Sequence, residues 1–175
     1  GNKTVVEVYT ACPKAALYIH GKKVGEKSVG KDARAYFKVK YEKGELVAVG
    51  LDKAGNEVCR TSLKSGKHET YLSAIPELEE VGENELCYVK LQFTDIDGIW
   101  KPLARGHVTV KVQGGELLAL GSACPYNKEG YLKDESDTYF GEALAIIRPF
   151  KGAEKIVLDA SSAYGPAHAE VKCKW

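Results

Sequence analysis

The side chains of this sequence that could carry chemistry are dispersed along it rather than clustered. A glycosidase needs two carboxylates flanking one sugar bond, and Glu79-Glu80 and Asp134-Glu135 are the adjacent acidic pairs available. Both lie in charged, turn-rich stretches, where solvated loop carboxylates are the simpler reading. Asp95 and Asp97 lack the terminal Glu of an EF-hand calcium loop, and the run Asp95-Ile96-Asp97-Gly98 reads instead as a β-turn. His20, His68, His107 and His168 are far apart and show no paired-histidine spacing, so they read as surface or strand-edge residues. Ser122 is not framed by a nucleophile elbow, and nothing beside Cys124 lowers the pKa of its thiol. The five cysteines, Cys12, Cys59, Cys87, Cys124 and Cys173, form no CxxC pair, which argues against structural zinc. Their odd number argues against a complete disulfide framework. Small buried hydrophobes are the main reading for them, with one incidental disulfide left open. The glycines match neither a P-loop nor a dinucleotide fingerprint. No catalytic residue, metal site or cofactor is expected.

Aromatic rings are the remaining feature, because sugars stack their CH faces on flat rings. Trp100 follows the turn at Asp97-Gly98 and precedes Lys101-Pro102. Tyr126 and Tyr131 lie in an aperiodic stretch, and Tyr139 lies at its end. Trp100, Tyr126 and Tyr131 are the candidates for carbohydrate contact, against the alternative of partial packing at the rim of a β-sandwich.

The elements that must position these residues are strands. Residues 3–10, 15–20, 33–41, 45–51 and 57–63 alternate apolar and polar residues or form short apolar runs between turns, which is the spacing of an all-β sandwich. Residues 21–23 are expected to turn the chain, as are 42–44 and 52–56. A second series follows. In residues 86–94, Leu86, Tyr88, Lys90 and Gln92 share one face, and Cys87, Val89, Leu91 and Phe93 share the other. Residues 107–112, 116–121, 142–148, 155–160 and 169–174 complete it, with residues 122–138 as a long surface loop. The organising stretches are GGELLALG at 114–121 and YFGEALAIIRP at 139–149, each a buried-strand pattern with a glycine near its head. GELVAVG at 44–50 echoes GELLALG at 115–121, which suggests two similar β modules in tandem, each copy covered on both faces. The fold class is all-β, with two tandem immunoglobulin-like β-sandwich domains. Residues 1–66 form the first, 67–84 a linker or connecting strand, and 85–175 the second.

Composition narrows the partners. Twenty-five basic and 24 acidic residues are well mixed and leave a formal charge of +1, which gives no footprint for nucleic acid or an anionic membrane. No apolar run approaches the roughly 20 residues needed to span a bilayer. The chain contains no Met and opens without a signal peptide's apolar region, as expected of a piece excised from a longer protein. Its cysteines lean toward a reducing cytoplasm.

In order along the chain, Val8-Tyr9-Thr10-Ala11-Cys12, Ala16-Leu17-Tyr18-Ile19-His20-Gly21-Lys22-Lys23-Val24-Gly25, Val39-Lys40-Tyr41-Glu42-Lys43-Gly44-Glu45-Leu46 and Asp52-Lys53-Ala54-Gly55 resemble the DUF4982 domain of bacterial glycoside hydrolase family 2 enzymes. His20 stands where that family usually has Asn in an Asn-Gly-Lys hairpin. Tyr88-Val89, Asp95–Gly98, Gly115–Gly121 and Phe140-Gly141-Glu142-Ala143-Leu144-Ala145-Ile146-Ile147-Arg148 resemble the invasin-like or Ig-like C-terminal domain of the same enzymes, the β-galactosidase type. Gly121-Ser122 replaces the Gly-Asn often found there. The resemblance implies non-catalytic accessory modules whose partners are a catalytic TIM barrel and other domains of the parent chain. It carries over no catalytic residue, because the family's two glutamates lie on that barrel. The alternatives are a carbohydrate-binding module and Ig-like repeats of a bacterial surface or adhesion protein.

Overall fold

Fifteen strands and the turns between them make up the computed structural model, which describes residues 1–128 and 130–175. The chain divides into two units, Gly1–Ser65 and Gly66–Trp175. Both are immunoglobulin-like β-sandwiches.

In the first unit, β1 (Lys3–Tyr9) pairs antiparallel with β4 (Arg34–Lys40). A four-stranded sheet runs in the order β3 (Lys22–Ser28), β2 (Lys14–Ile19), β5 (Glu45–Leu51), β6 (Glu57–Lys64). Successive side chains in a strand point to opposite faces. Phe37 and Ala35 of β4 therefore join Val8, Ala15 and Leu17 in one buried cluster, while Tyr36 and Lys38 face water. Ala16, Val47, Val49 and Leu51 form a second buried cluster on the other face of β2 and β5, so β5 is covered on both faces. The β2–β3 turn is shorter than expected. Only His20 and Gly21 lie outside the strands, with φ of 50° and 74°, while Lys22 and Lys23 already pair with Ile19 and Tyr18. Positive φ at both central residues is the two-residue turn whose twist matches a hairpin. The His20 ring lies over Gly44, where a Cβ would come within 1.9 Å of its Cε1.

In the second unit, one sheet runs β12 (Glu135–Asp137), β10 (His107–Gln113), β14 (Lys155–Ser162), β15 (Gly165–Lys174), β8 (Glu80–Gly82). The other runs β11 (Gly115–Gly121), β13 (Glu142–Pro149), β9 (Cys87–Thr94), β7 (Tyr71–Pro76). Between them lies one core that includes Leu91, Phe93, Leu120, Ile147, Ile156 and Leu158. Each such side chain contributes about 1.5–3 kcal/mol by leaving water. Cys87, Val89, Leu91 and Phe93 are all buried, the face that alternation in this segment indicates.

Within residues 67–84, expected as a linker or connecting strand, Tyr71–Pro76 and Glu80–Gly82 are strands of the second unit. β7 pairs with β9, placing Leu72 opposite Phe93 and Ala74 opposite Leu91, and β8 pairs parallel with the end of β15. The acidic Pro- and Gly-bearing composition here belongs to short edge strands, where Pro76 disrupts no central ladder. The echoed motif also occupies unlike places. GELVAVG ends in β5, an interior strand, whereas GELLALG is β11, an edge strand with a bulge between Leu117 and Ala119.

Candidate functional site: an apolar groove on the outer face of the second unit

β9, β11 and β13 bury Cys87, Val89, Leu120, Ala143, Ala145 and Ile147 inward. Their alternate residues consequently face out, and those on β13 are Glu142, Leu144, Ile146 and Arg148. A groove of about 590 Å³ lies on this outer face, floored by Ala119, Leu144 and Ile146 and flanked by Tyr131 and Tyr139. Gly121 lets Tyr131 in, since a Cβ there would meet its ring at 2.2 Å. The Tyr131 carbonyl accepts a hydrogen bond from Leu120 N at 2.8 Å, which fixes this part of the loop beside β11. One polar end has Glu142, which accepts a hydrogen bond from Gln92 and lies 3.8 Å from Lys90 Nζ.

Tyr139 belongs to a tight turn. Phe140 and Gly141, with φ of 50° and 71°, connect Tyr139 to Glu142, whose backbones exchange hydrogen bonds of 2.9 and 3.2 Å. A left-handed conformation is costly for a ring-bearing residue. Two contacts hold it: the Phe140 carbonyl accepts from Trp100 Nε1 at 3.0 Å, and its ring meets Tyr139 edge-on at 4.6 Å. Trp100 is 43% exposed, yet lies outside the groove with its indole N–H committed to this turn. Tyr131 is 48% exposed inside the groove. Tyr126, 85% exposed, lines a neighbouring groove of about 450 Å³ that shares Ser122 with the first. The structure thus unites Tyr131 with Tyr139 and separates both from Tyr126 and Trp100.

Several of the remaining candidates have structural partners. Asp95 is 3% exposed and accepts backbone N–H bonds from Lys67 at 2.7 Å, Asp97 at 2.9 Å and Ile99 at 2.8 Å. These bonds, Lys67 first, hold its carboxyl below the usual range. The turn reading of Asp95–Gly98 holds, with Gly98 N bonded to the Asp95 carbonyl. Asp97 pairs with Lys67 at 2.7 Å. Lys101, which composition did not single out, spends its ammonium on the His68 and Glu69 carbonyls and the Thr70 hydroxyl, at 2.8, 2.9 and 2.7 Å.

In the second groove His107 lies 3.0 Å from Asp137 and 3.4 Å from Glu135, and these partners, Asp137 first, raise its pKa. His168 is bonded to Asp159 at 2.7 Å, with Glu170 at 3.5 Å, and is raised likewise. Glu80 pairs with Lys174. Among the described residues no group of three or more His, Cys, Asp and Glu is placed to hold a metal ion. Of the cysteines only Cys87 is fully buried, and burial followed by the nearby Cys173 pushes its thiol up to about 11. Cys12 and Cys59 are different: their sulfurs are 3.9 Å apart at an accessible position.

Two β-sandwiches, one carrying an open apolar groove, define an all-β modular region. Residues 76–171 match the family model for glycoside hydrolase family 2 C-terminal domain 5, and residues 1–59 match the domain of unknown function DUF4982. The chain belongs to the glycoside hydrolase family 2 C-terminal domain family. It is similar to a glycosyl hydrolase family 2 member from Bacteroides cellulosilyticus DSM 14838, with 26% identity and a TM-score of 0.86 over 98% of this chain and 24% of that one. A β-glycosidase from Bacteroides vulgatus shares the fold, at 20% identity and a TM-score of 0.87 over 98% of this chain and 23% of that one. A β-glucuronidase from glycoside hydrolase family 2 shares it too, at 17% identity and 0.78, over 99% and 19% of the two chains. The chain therefore spans about a quarter or less of these proteins. No curated protein matches it.

Proposed function

We propose that this chain is a pair of non-catalytic accessory modules of a β-galactosidase-type family 2 glycoside hydrolase. The parent would hydrolyse terminal β-galactosides with retention, through a glycosyl-enzyme intermediate formed on a catalytic barrel elsewhere in it. The modules would pack against that barrel and support the rim of its cleft or the oligomer. The groove carries this reading. It is floored by aliphatic side chains, and the one carboxylate among its described lining residues, Glu142, is engaged by Lys90 and Gln92. A surface of that composition suits contact with another domain better than bond cleavage.

Leu144 tests it, because it is exposed on the groove floor. Leu144→Asp should leave the isolated chain within about 0.5 kcal/mol of wild type, as exposed substitutions do. In the parent enzyme it should lower the thermal midpoint by several degrees. An equal, small effect in both would remove the groove from the proposal. Galactoside specificity rests on the sequence resemblance, and β-glucuronides are the competing class suggested by a fold neighbour's name. Aryl β-galactoside and aryl β-glucuronide turnover by the parent separates them.

A second reading is favoured by Tyr131 and Tyr139, two rings flanking one groove: a carbohydrate-contact surface. Tyr131→Ala should abolish sugar affinity in that case, and Trp100→Ala should not, since Trp100 lies outside the groove.

A further inference from the structure

We propose that Cys12 and Cys59 are a thiol–disulfide modification site that staples edge strand β6 to the β1–β2 connection of the first unit. The two sulfurs come from opposite sides of β5. Cys12 precedes β2, whose Ala15 pairs with Gly50, and Cys59 lies on β6, directly opposite the same Gly50. They meet above that glycine at 3.9 Å. Gly50 is what allows the meeting, because a Cβ there would lie 2.6 Å from Cys59 Sγ and 2.8 Å from Cys12 Sγ. Any larger residue would fill the space the two sulfurs share. Cys12 is also oriented locally, its N–H donating to Thr10 Oγ1 at 3.1 Å.

A disulfide bond is about 2.05 Å long. Closing the gap asks for side-chain rotation of Cys12, in an irregular connection, and of Cys59, on an edge strand whose residues are all exposed. Accessibility admits a small oxidant, which separates this pair from the buried Cys87. With a low-molecular-weight aliphatic disulfide as oxidant, the Cys59 thiolate attacks one of its sulfurs and expels one thiolate. The Cys12 thiolate then attacks Cys59 Sγ of the mixed disulfide and expels the second. Two protein thiols are oxidised by two electrons, one S–S bond forms, and the oxidant leaves as two reduced thiols with the two protons.

The test is to equilibrate the 175-residue chain in glutathione buffers of increasing oxidised fraction, trap it with an alkylating agent, and map peptides by mass spectrometry. Two of the five thiols should disappear together, with a Cys12–Cys59 linked peptide, while Cys87 stays reduced. Cys59→Ser should abolish the link and leave Cys12 alkylated. In a time course of linking, Gly50→Ala should slow the reaction by tenfold or more, since about 1 Å of misplacement between reacting groups costs up to about a hundredfold. Glutathione held on Cys59 without progress to the link, or full alkylation of both cysteines in the most oxidising buffer, would overturn the proposal. So would equally fast linking in folded Gly50→Ala.

Discussion

Asp95 and His168 carry opposite pH signatures for reasons visible in their partners. The Asp95 carboxylate collects three backbone N–H groups, and its folded pKa is lowered. Its stabilising contribution is present above the unfolded value of about 3.9 and is lost as pH falls through the lower folded value. Asp95→Asn should therefore depress the thermal midpoint clearly at pH 7, and the gap should shrink toward pH 2. A gap independent of pH would contradict this. His168 is the converse case: its bond to Asp159, then Glu170, raises its folded pKa. That contribution is complete below about 6.5 and fades as pH rises through the folded value. A proton NMR titration should place the His168 ring above about 6.5, and Asp159→Asn should bring it down. At this scale the sequence was partly legible. Asp95–Gly98 announces its turn through Asp and Gly, and the exposure of Trp100 follows from its place after that turn. Nothing local announces that Cys12 meets Cys59, because the encounter depends on which strands flank Gly50.

Strands were read most securely where two physical signals coincided. In β9 the alternation, the aromatic and β-branched content and the flanking turns all agree, and Cys87, Val89, Leu91 and Phe93 are inside. Phe93 is fully buried and meets Tyr164 edge-on at 4.8 Å. Phe93→Ala should cost about 3–5 kcal/mol in denaturant unfolding of the second unit. A loss below about 1 kcal/mol would mean that the core is not closed around it. β7 was harder to read, since its two core contacts, Leu72 and Ala74, sit in a polar and acidic neighbourhood that resembles a linker. The outer groove was also hidden. Leu144 and Ile146 continue an apolar run that reads as buried on both faces, and only the placement of β13 in the sheet shows that one face is open. The repeated GEL motif signals two β modules but not equivalent strands, because edge and interior strands share the same local pattern while differing in neighbours.

As a whole, the chain is two β-sandwiches of the glycoside hydrolase family 2 C-terminal region, covering a quarter or less of the similar enzymes. Asp95 is engaged in a turn and Glu142 in an ion pair, and an apolar groove lies on one sheet of the second unit. An accessory, non-catalytic role follows as the proposal, and it sets an expectation for sugars. The decisive measurement is a titration of the isolated chain with galactose, lactose and galactan oligosaccharides, followed by two-dimensional amide NMR, with Tyr131→Ala in parallel. An accessory structural region gives a flat response up to millimolar sugar in both proteins. A saturable, sugar-specific shift that disappears in Tyr131→Ala would contradict that account and make the groove a carbohydrate site.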